Sequence, residues 1–148
     1  MKKLTKNMNI IKNKKHKLQK NYINSVYGID QAILDEEEKI LCIVFQNSLN
    51  VQVLKFKKMI LKFHNIINRY VVVYYTNTKL ANGYDLMYEL FKVYSVIFFF
   101  RNKRIIIDTN TGNNNKLENL FLNSSKFIKY CEIIFWNINK GKNAVYLF

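Results

Sequence analysis

Proline is absent from the 148 residues, where ordinary usage of ~5% would place about seven. That excludes proline-rich linkers, polyproline arms and any cis-proline bond. Glycine numbers four, too few for a glycine-rich phosphate loop. The two cysteines, Cys42 and Cys131, stand 89 positions apart. With no C-x-x-C, dithiol redox chemistry and zinc-ribbon sites are excluded. A secreted disulfide scaffold is not expected either, and a reducing compartment is the default. The apolar runs fall far short of the ~20 residues a spanning helix needs, so no membrane span is expected. The first residues lack the apolar centre of a signal peptide.

Apolar residues make up 49% and aromatics 15%, ample for one buried core. Charge is lopsided: 24 Lys and Arg face 10 Asp and Glu, a formal +14. Residues 1–20 hold eight lysines and no acid. They read as a disordered lysine-rich arm ahead of one domain over 21–148. Such a balance favours phosphate-bearing partners or acidic protein surfaces. A coding bias toward Lys, Asn and Ile is the competing account for about half of the excess. Within the arm, Lys12–Lys20 (KNKKHKLQK) suits a nuclear-import signal or a phosphate clamp.

Along the rest of the chain, Tyr22 to Val26 is expected to form a short edge strand. Asp30 is placed to cap a helix running into the carboxylates Asp35–Glu38. Ile40–Phe45 (ILCIVF) and Tyr70–Tyr75 (YVVVYY) read as strands buried on both faces. Between them, Val53, Phe56, Ile60, Phe63 and Ile67 share one face of a helix over 51–69, with Lys55, Lys58, Lys62 and Arg69 opposite. Residues 82–91 read as a helix with Leu86, Met87 and Leu90 inward. Ser95–Phe100 and Ile105–Asp108 read as a tight hairpin with Asn102–Lys103 near its apex. A loop follows, and Ser124 or Ser125 caps a last helix burying Phe127, Cys131, Ile134 and Ile138. The order β-α-β-α-β-α-β-β-α predicts an α/β, thioredoxin-like fold: a mixed central sheet with helices on both faces.

A working thioredoxin carries its thiols at the start of the helix after the first central strand, where the helix dipole lowers their pKa. Here that place is Asn50–Val53, which holds no thiol, so redox catalysis there is excluded. Cys42 and Cys131 read as small buried hydrophobes. His64 has no evident acid partner, and Asp35–Glu38 reads as a solvated face. The lysine stripe and the cations Arg101, Lys103 and Arg104 suit phosphate or partner contact. The competing readings are a solvated outer face and an edge guarded by charge. Phe98–Phe100 alternates across a strand and belongs to the core. Asn110 and Asn113–Asn115, before Lys116, exceed what a turn requires.

Asp30–Leu34 (DQAIL), Met87–Leu90 (MYEL), Phe98–Lys103 (FFFRNK), Asp108 and Thr111–Lys116 (TGNNNK) occur here in order. Together they resemble the DIM-type thioredoxin-like proteins, the thioredoxin-like protein 4 family, which includes the fifteen-kilodalton component of the U5 small nuclear ribonucleoprotein (snRNP). The match runs from about Asp30 to Lys142. The resemblance implies a non-catalytic nuclear protein of pre-messenger-RNA splicing, without cofactor or small-molecule substrate. It would be packed in the U4/U6.U5 tri-snRNP against U5 snRNP proteins and close to RNA. By position, the implied contact surface is Arg101, Asn102, Lys103, Thr111, Gly112, Asn113, Asn114, Asn115 and Lys116. The family has a D-P-x-C-like segment where Asn50–Val53 stands and a cysteine after a proline where Tyr94 stands. Its disulfide-capable pair is thus missing. A diverged thioredoxin-fold binding module outside splicing is the alternative. An enzyme would need a reactive cysteine, and neither sequence context favours one.

Overall fold

A computed structural model describes residues 21–47, 50–90, 92–109 and 123–147. The lysine arm at 1–20 and the Thr111–Lys116 motif lie outside the described residues. A five-stranded sheet is built from β1 (Tyr22–Ile23), β2 (Ile40–Gln46), β3 (Val71–Asn77), β4 (Tyr94–Phe100) and β5 (Lys103–Arg104), in the order β1-β3-β2-β4-β5. β1 and β2 run parallel to β3. β4 is antiparallel to β2 and to β5. A separate two-stranded sheet pairs β6 (Ile106–Asp108) in parallel with β7 (Ala144–Tyr146).

Helices cover both faces of the main sheet, as expected. On one face, α1 (Val26–Asp35) buries Ile29 and Ile33 against Leu41, Ile43, Phe45, Ile97 and Phe99. Beside it lies the short α4 (Tyr84–Met87). On the other face, α2 (Val51–Lys62), α3 (His64–Ile67) and α5 (Ser124–Asn139) bury Phe56, Ile60, Ile67, Phe127 and Ile134 against Cys42, Val44, Val73 and Phe98. The central strands alternate between the two cores, so nearly every side chain of β2 and β4 is buried. That is why both segments read as unbroken apolar runs.

Several boundaries differ from the sequence reading. β1 stops at Ile23, and the cap of α1 is Ser25, whose Oγ accepts from the Gly28 N–H at 3.0 Å. Gly28 is needed there, because a Cβ would sit 2.8 Å from Ile23 Cγ2. Asp30 is therefore inside the helix, where it accepts from the Tyr84 hydroxyl. Of the carboxylate run only Asp35 is helical, as the last residue of α1; Glu36–Glu38 form a turn, in which Glu36 Oε1 accepts from the N–H groups of Glu38 and Lys39 at 3.3 and 3.0 Å. The helix over 51–69 breaks at Phe63, amid asparagine and β-branched residues of low helix propensity.

The helix expected over 82–91 shrinks to α4. Leu86 and Met87 point outward, 73% and 69% exposed, and only Leu90 of the expected trio is buried. Tyr84 and Tyr88 do the packing instead, stacked at 6.2 Å with Phe45 and Phe99 as further ring partners. The hairpin apex is Arg101–Asn102, both at positive φ (47° and 65°), one residue earlier than expected. Phe100 then faces Lys103, and Ile106–Asp108 leaves the hairpin to join β7. The last helix is capped by Asn123, whose side chain accepts from the Lys126 N–H at 3.1 Å, rather than by Ser124 or Ser125. Phe127, Cys131, Ile134 and Ile138 face inward as expected. Among the described residues no helix is long and apolar enough to cross a membrane.

Candidate functional site

The β4–β5 hairpin presents Arg101, Asn102 and Lys103 to solvent. A two-residue turn with both φ positive matches the twist of paired strands, but left-handed backbone is unfavourable for an arginine. Side-chain contacts hold it. Arg101 Nε donates to the Glu37 carbonyl at 3.0 Å, and its guanidinium lies 4.9 Å from the Phe100 ring centre. Arg104 reaches over Tyr88 at 5.8 Å. Burial pushes the Tyr88 hydroxyl up, and the Arg104 charge partly opposes that rise.

Beside the hairpin, an open cleft of about 270 Å³ has Phe100, Ile105 and Ile138 in its apolar wall and Lys103, Arg104 and Lys142 among its cations. The β6–β7 pairing and the turn at Gly141, with φ +87°, bring Lys142 and Asn143 to this place. The arrangement suits a partner that offers an apolar side chain together with negative charge. The sequence reading had singled out the hairpin but not Lys142 or Asn143. Their signal was the polar turn after the last helix, which names no spatial neighbour.

Asn50–Val53, the place where a thioredoxin keeps its thiols, lies at the start of α2, as expected. Asn50 Oδ1 accepts from the N–H groups of Gln52 and Val53 at 2.8 and 3.3 Å. The Tyr94 hydroxyl donates to the Gln52 side-chain oxygen. Val53 is fully buried. Asn47 ties the facing segment in place, its N–H donating to the Val93 carbonyl at 2.9 Å. Cys42 and Cys131 are buried free thiols in one core. Burial pushes both pKa values up, and the neighbouring Cys131 adds to the rise at Cys42. Such thiols are poor nucleophiles. His64 is exposed on α3. Among the described residues no group of three His, Cys, Asp or Glu side chains could hold a metal ion.

Residues 20–147 match the family described as "Mitosis protein DIM1". "Mitosis protein dim1" of Schizosaccharomyces pombe is 31% identical over 124 residues, covering 84% of this chain and 87% of that protein. "Spliceosomal protein DIB1" of Saccharomyces cerevisiae is 30% identical over 119 residues, covering 80% and 83%. Human "Thioredoxin-like protein 4B" is 22% identical over 123 residues, covering 83% of each. Among solved structures, Fasciola hepatica thioredoxin superposes with a TM-score of 0.56 at 8% identity, over 76% of this chain and 96% of that one. The Drosophila thioredoxin Deadhead gives 0.55 at 9% identity, over 75% and 95%. These two likenesses show the thioredoxin-like fold alone.

Proposed function

The chain belongs to the DIM1 family, and from that membership we propose that it works as a thioredoxin-fold component of the spliceosome in pre-messenger-RNA splicing. The observation that carries this is the family match across residues 20–147, together with yeast relatives named as spliceosomal proteins. The role is that of a non-catalytic scaffold. Its thiols are buried, and the thioredoxin position is filled by a helix cap and a Tyr94–Gln52 hydrogen bond. What the molecule offers a partner is the shape and charge of its outside.

The finer reading places it in the nucleus, with U5 snRNP proteins as its direct partners and RNA of the tri-snRNP nearby. The contact surface is the hairpin Arg101, Asn102 and Lys103, extended by Thr111, Gly112, Asn113, Asn114, Asn115 and Lys116. Residues 1–20 act as a lysine-rich arm on a single domain over 21–148. Exposure of the hairpin cations and the adjacent apolar cleft support the first part of that surface.

An affinity-tagged chain expressed in its own cells tests the assignment. Recovery of U5 snRNP proteins and small nuclear RNA is the expected result. An Arg101→Glu, Lys103→Glu double variant should stay folded, with a melting temperature lowered by the loss of the Arg101 contacts, yet lose most of that recovery. A pulldown from nuclear extract holding neither snRNP protein nor small nuclear RNA would favour the binding module outside splicing.

A further inference from the structure

Charge is divided between the two helical layers. The layer of α1 and α4, with the segments joining them to the sheet, carries Asp30, Asp35, Glu36–Glu38, Asp85 and Glu89. The opposite layer is basic. α2 has four lysines and no acid, and α5 has Lys126 and Lys129 against the lone carboxylate Glu132. A coding bias toward lysine would raise both layers alike and would not gather the acids on one.

The two basic helices lie side by side. Phe56 of α2 meets Phe127 of α5 edge-on, ring centres 5.2 Å apart. Just beyond α3, Tyr70 meets Phe135 at 5.4 Å. Lys55, Lys58 and Lys62 are exposed and step by three and four along α2, which sets neighbours about 5–6 Å apart at Cβ. Lys57 is different: it lies 4.7 Å over the Tyr75 ring, and burial lowers its pKa, so it belongs to the core edge. On the outer line of α5, Lys129 is exposed and Trp136 is 52% exposed.

We propose that the paired outer faces of α2 and α5 bind single-stranded RNA, with Lys55, Lys58, Lys62 and Lys129 on phosphates and Trp136 stacked on a base. Lysine ammonium groups are compact charges that contact phosphate without requiring a fixed geometry. A half-exposed indole on the same helix line as Lys129, with Glu132 between them, is a ring on which an unpaired base can stack. Binding at such a face follows backbone charge and stacking rather than sequence. The proposal uses no hairpin residue, so it stands or falls separately from docking to spliceosomal proteins.

The test is fluorescence anisotropy of a labelled oligouridylate with the full chain, across rising potassium chloride. For the Lys55→Gln, Lys58→Gln, Lys62→Gln triple, the slope of log affinity against log salt should become shallower by about 2. The matched triple on the acidic layer, Lys39→Gln, Lys79→Gln, Lys92→Gln, should leave the slope nearly unchanged. Trp136→Ala should weaken binding roughly tenfold at unchanged slope, and Trp136→Phe, which keeps a ring, should recover most of it. Equal losses from the two triples, or full affinity in the first, would overturn the proposal. So would polyglutamate binding as tightly as the RNA with Trp136→Ala indifferent to both, which would assign the face to an acidic protein.

Discussion

Asn50 stands where a thioredoxin carries its reactive segment, and it does structural work there. Its Oδ1 takes two of the backbone N–H groups that a helix start leaves without partners. Asn50→Ala should therefore lower stability by about 1 kcal/mol, read as a shift of the urea midpoint at unchanged slope. The two cysteines behave as core atoms. Unfolded thiols ionise near pH 8.5, while burial keeps the folded ones protonated beyond that point. Above about pH 8.5 the unfolded chain binds fewer protons than the folded one, so stability falls as pH rises. The loss should approach roughly 1 kcal/mol per thiol per pH unit, with the full contribution present at neutral pH. Urea midpoints followed from neutrality to about pH 9.5 check this. A flat profile would contradict the burial of both thiols.

At the scale of elements, the hairpin turn balances an unfavourable backbone against two side-chain contacts. Arg101→Ala keeps φ at 47° but loses the bond to Glu37 and the ring contact, and should destabilise by about 1–2 kcal/mol. Arg101→Gly relieves the backbone and should recover part of that loss, so thermal melts of the two variants separate the contributions. The same scale shows what sequence could reveal. β2 and β4 were legible because strands buried on both faces become continuous runs of β-formers, and β3 through its β-branched and aromatic run, although Val72 and Tyr74 on one of its faces are only half-buried. α2 and α5 were legible because Val53, Phe56 and Ile60, and Phe127, Cys131, Ile134 and Ile138, keep a helical period on one buried face. α4 was not, since Leu86 and Met87 imitate that period while Tyr84 and Tyr88 carry the packing. Gly83 at φ 92° and Glu89 at φ 52° bound the helix tightly. Ile106–Asp108 looked like the second arm of a hairpin because its true partner, β7, comes near only in three dimensions. The cleft residues Lys142 and Asn143 were hidden for the same reason. The hairpin itself was legible from the short spacing between two apolar runs, and its candidacy as a contact surface came through the FFFRNK resemblance.

Taken as a whole, the molecule is two cores sharing one sheet, and Phe127 anchors the larger of them. It is fully buried and meets Phe56 edge-on. Phe127→Ala should cost about 3–5 kcal/mol, a large share of the ~5–15 kcal/mol that holds an ordinary domain together. A melting temperature lowered by only a degree or two would contradict the packing of α2 against α5. The Tyr94–Gln52 bond has its own consequence for the whole fold. A hydrogen bond spans the place where a working thioredoxin keeps its thiols, so no disulfide at that place answers to the glutathione balance of the cell. Melting curves recorded in dithiothreitol and in oxidised glutathione should coincide. The protein would then be as firmly assembled under oxidative stress as at rest.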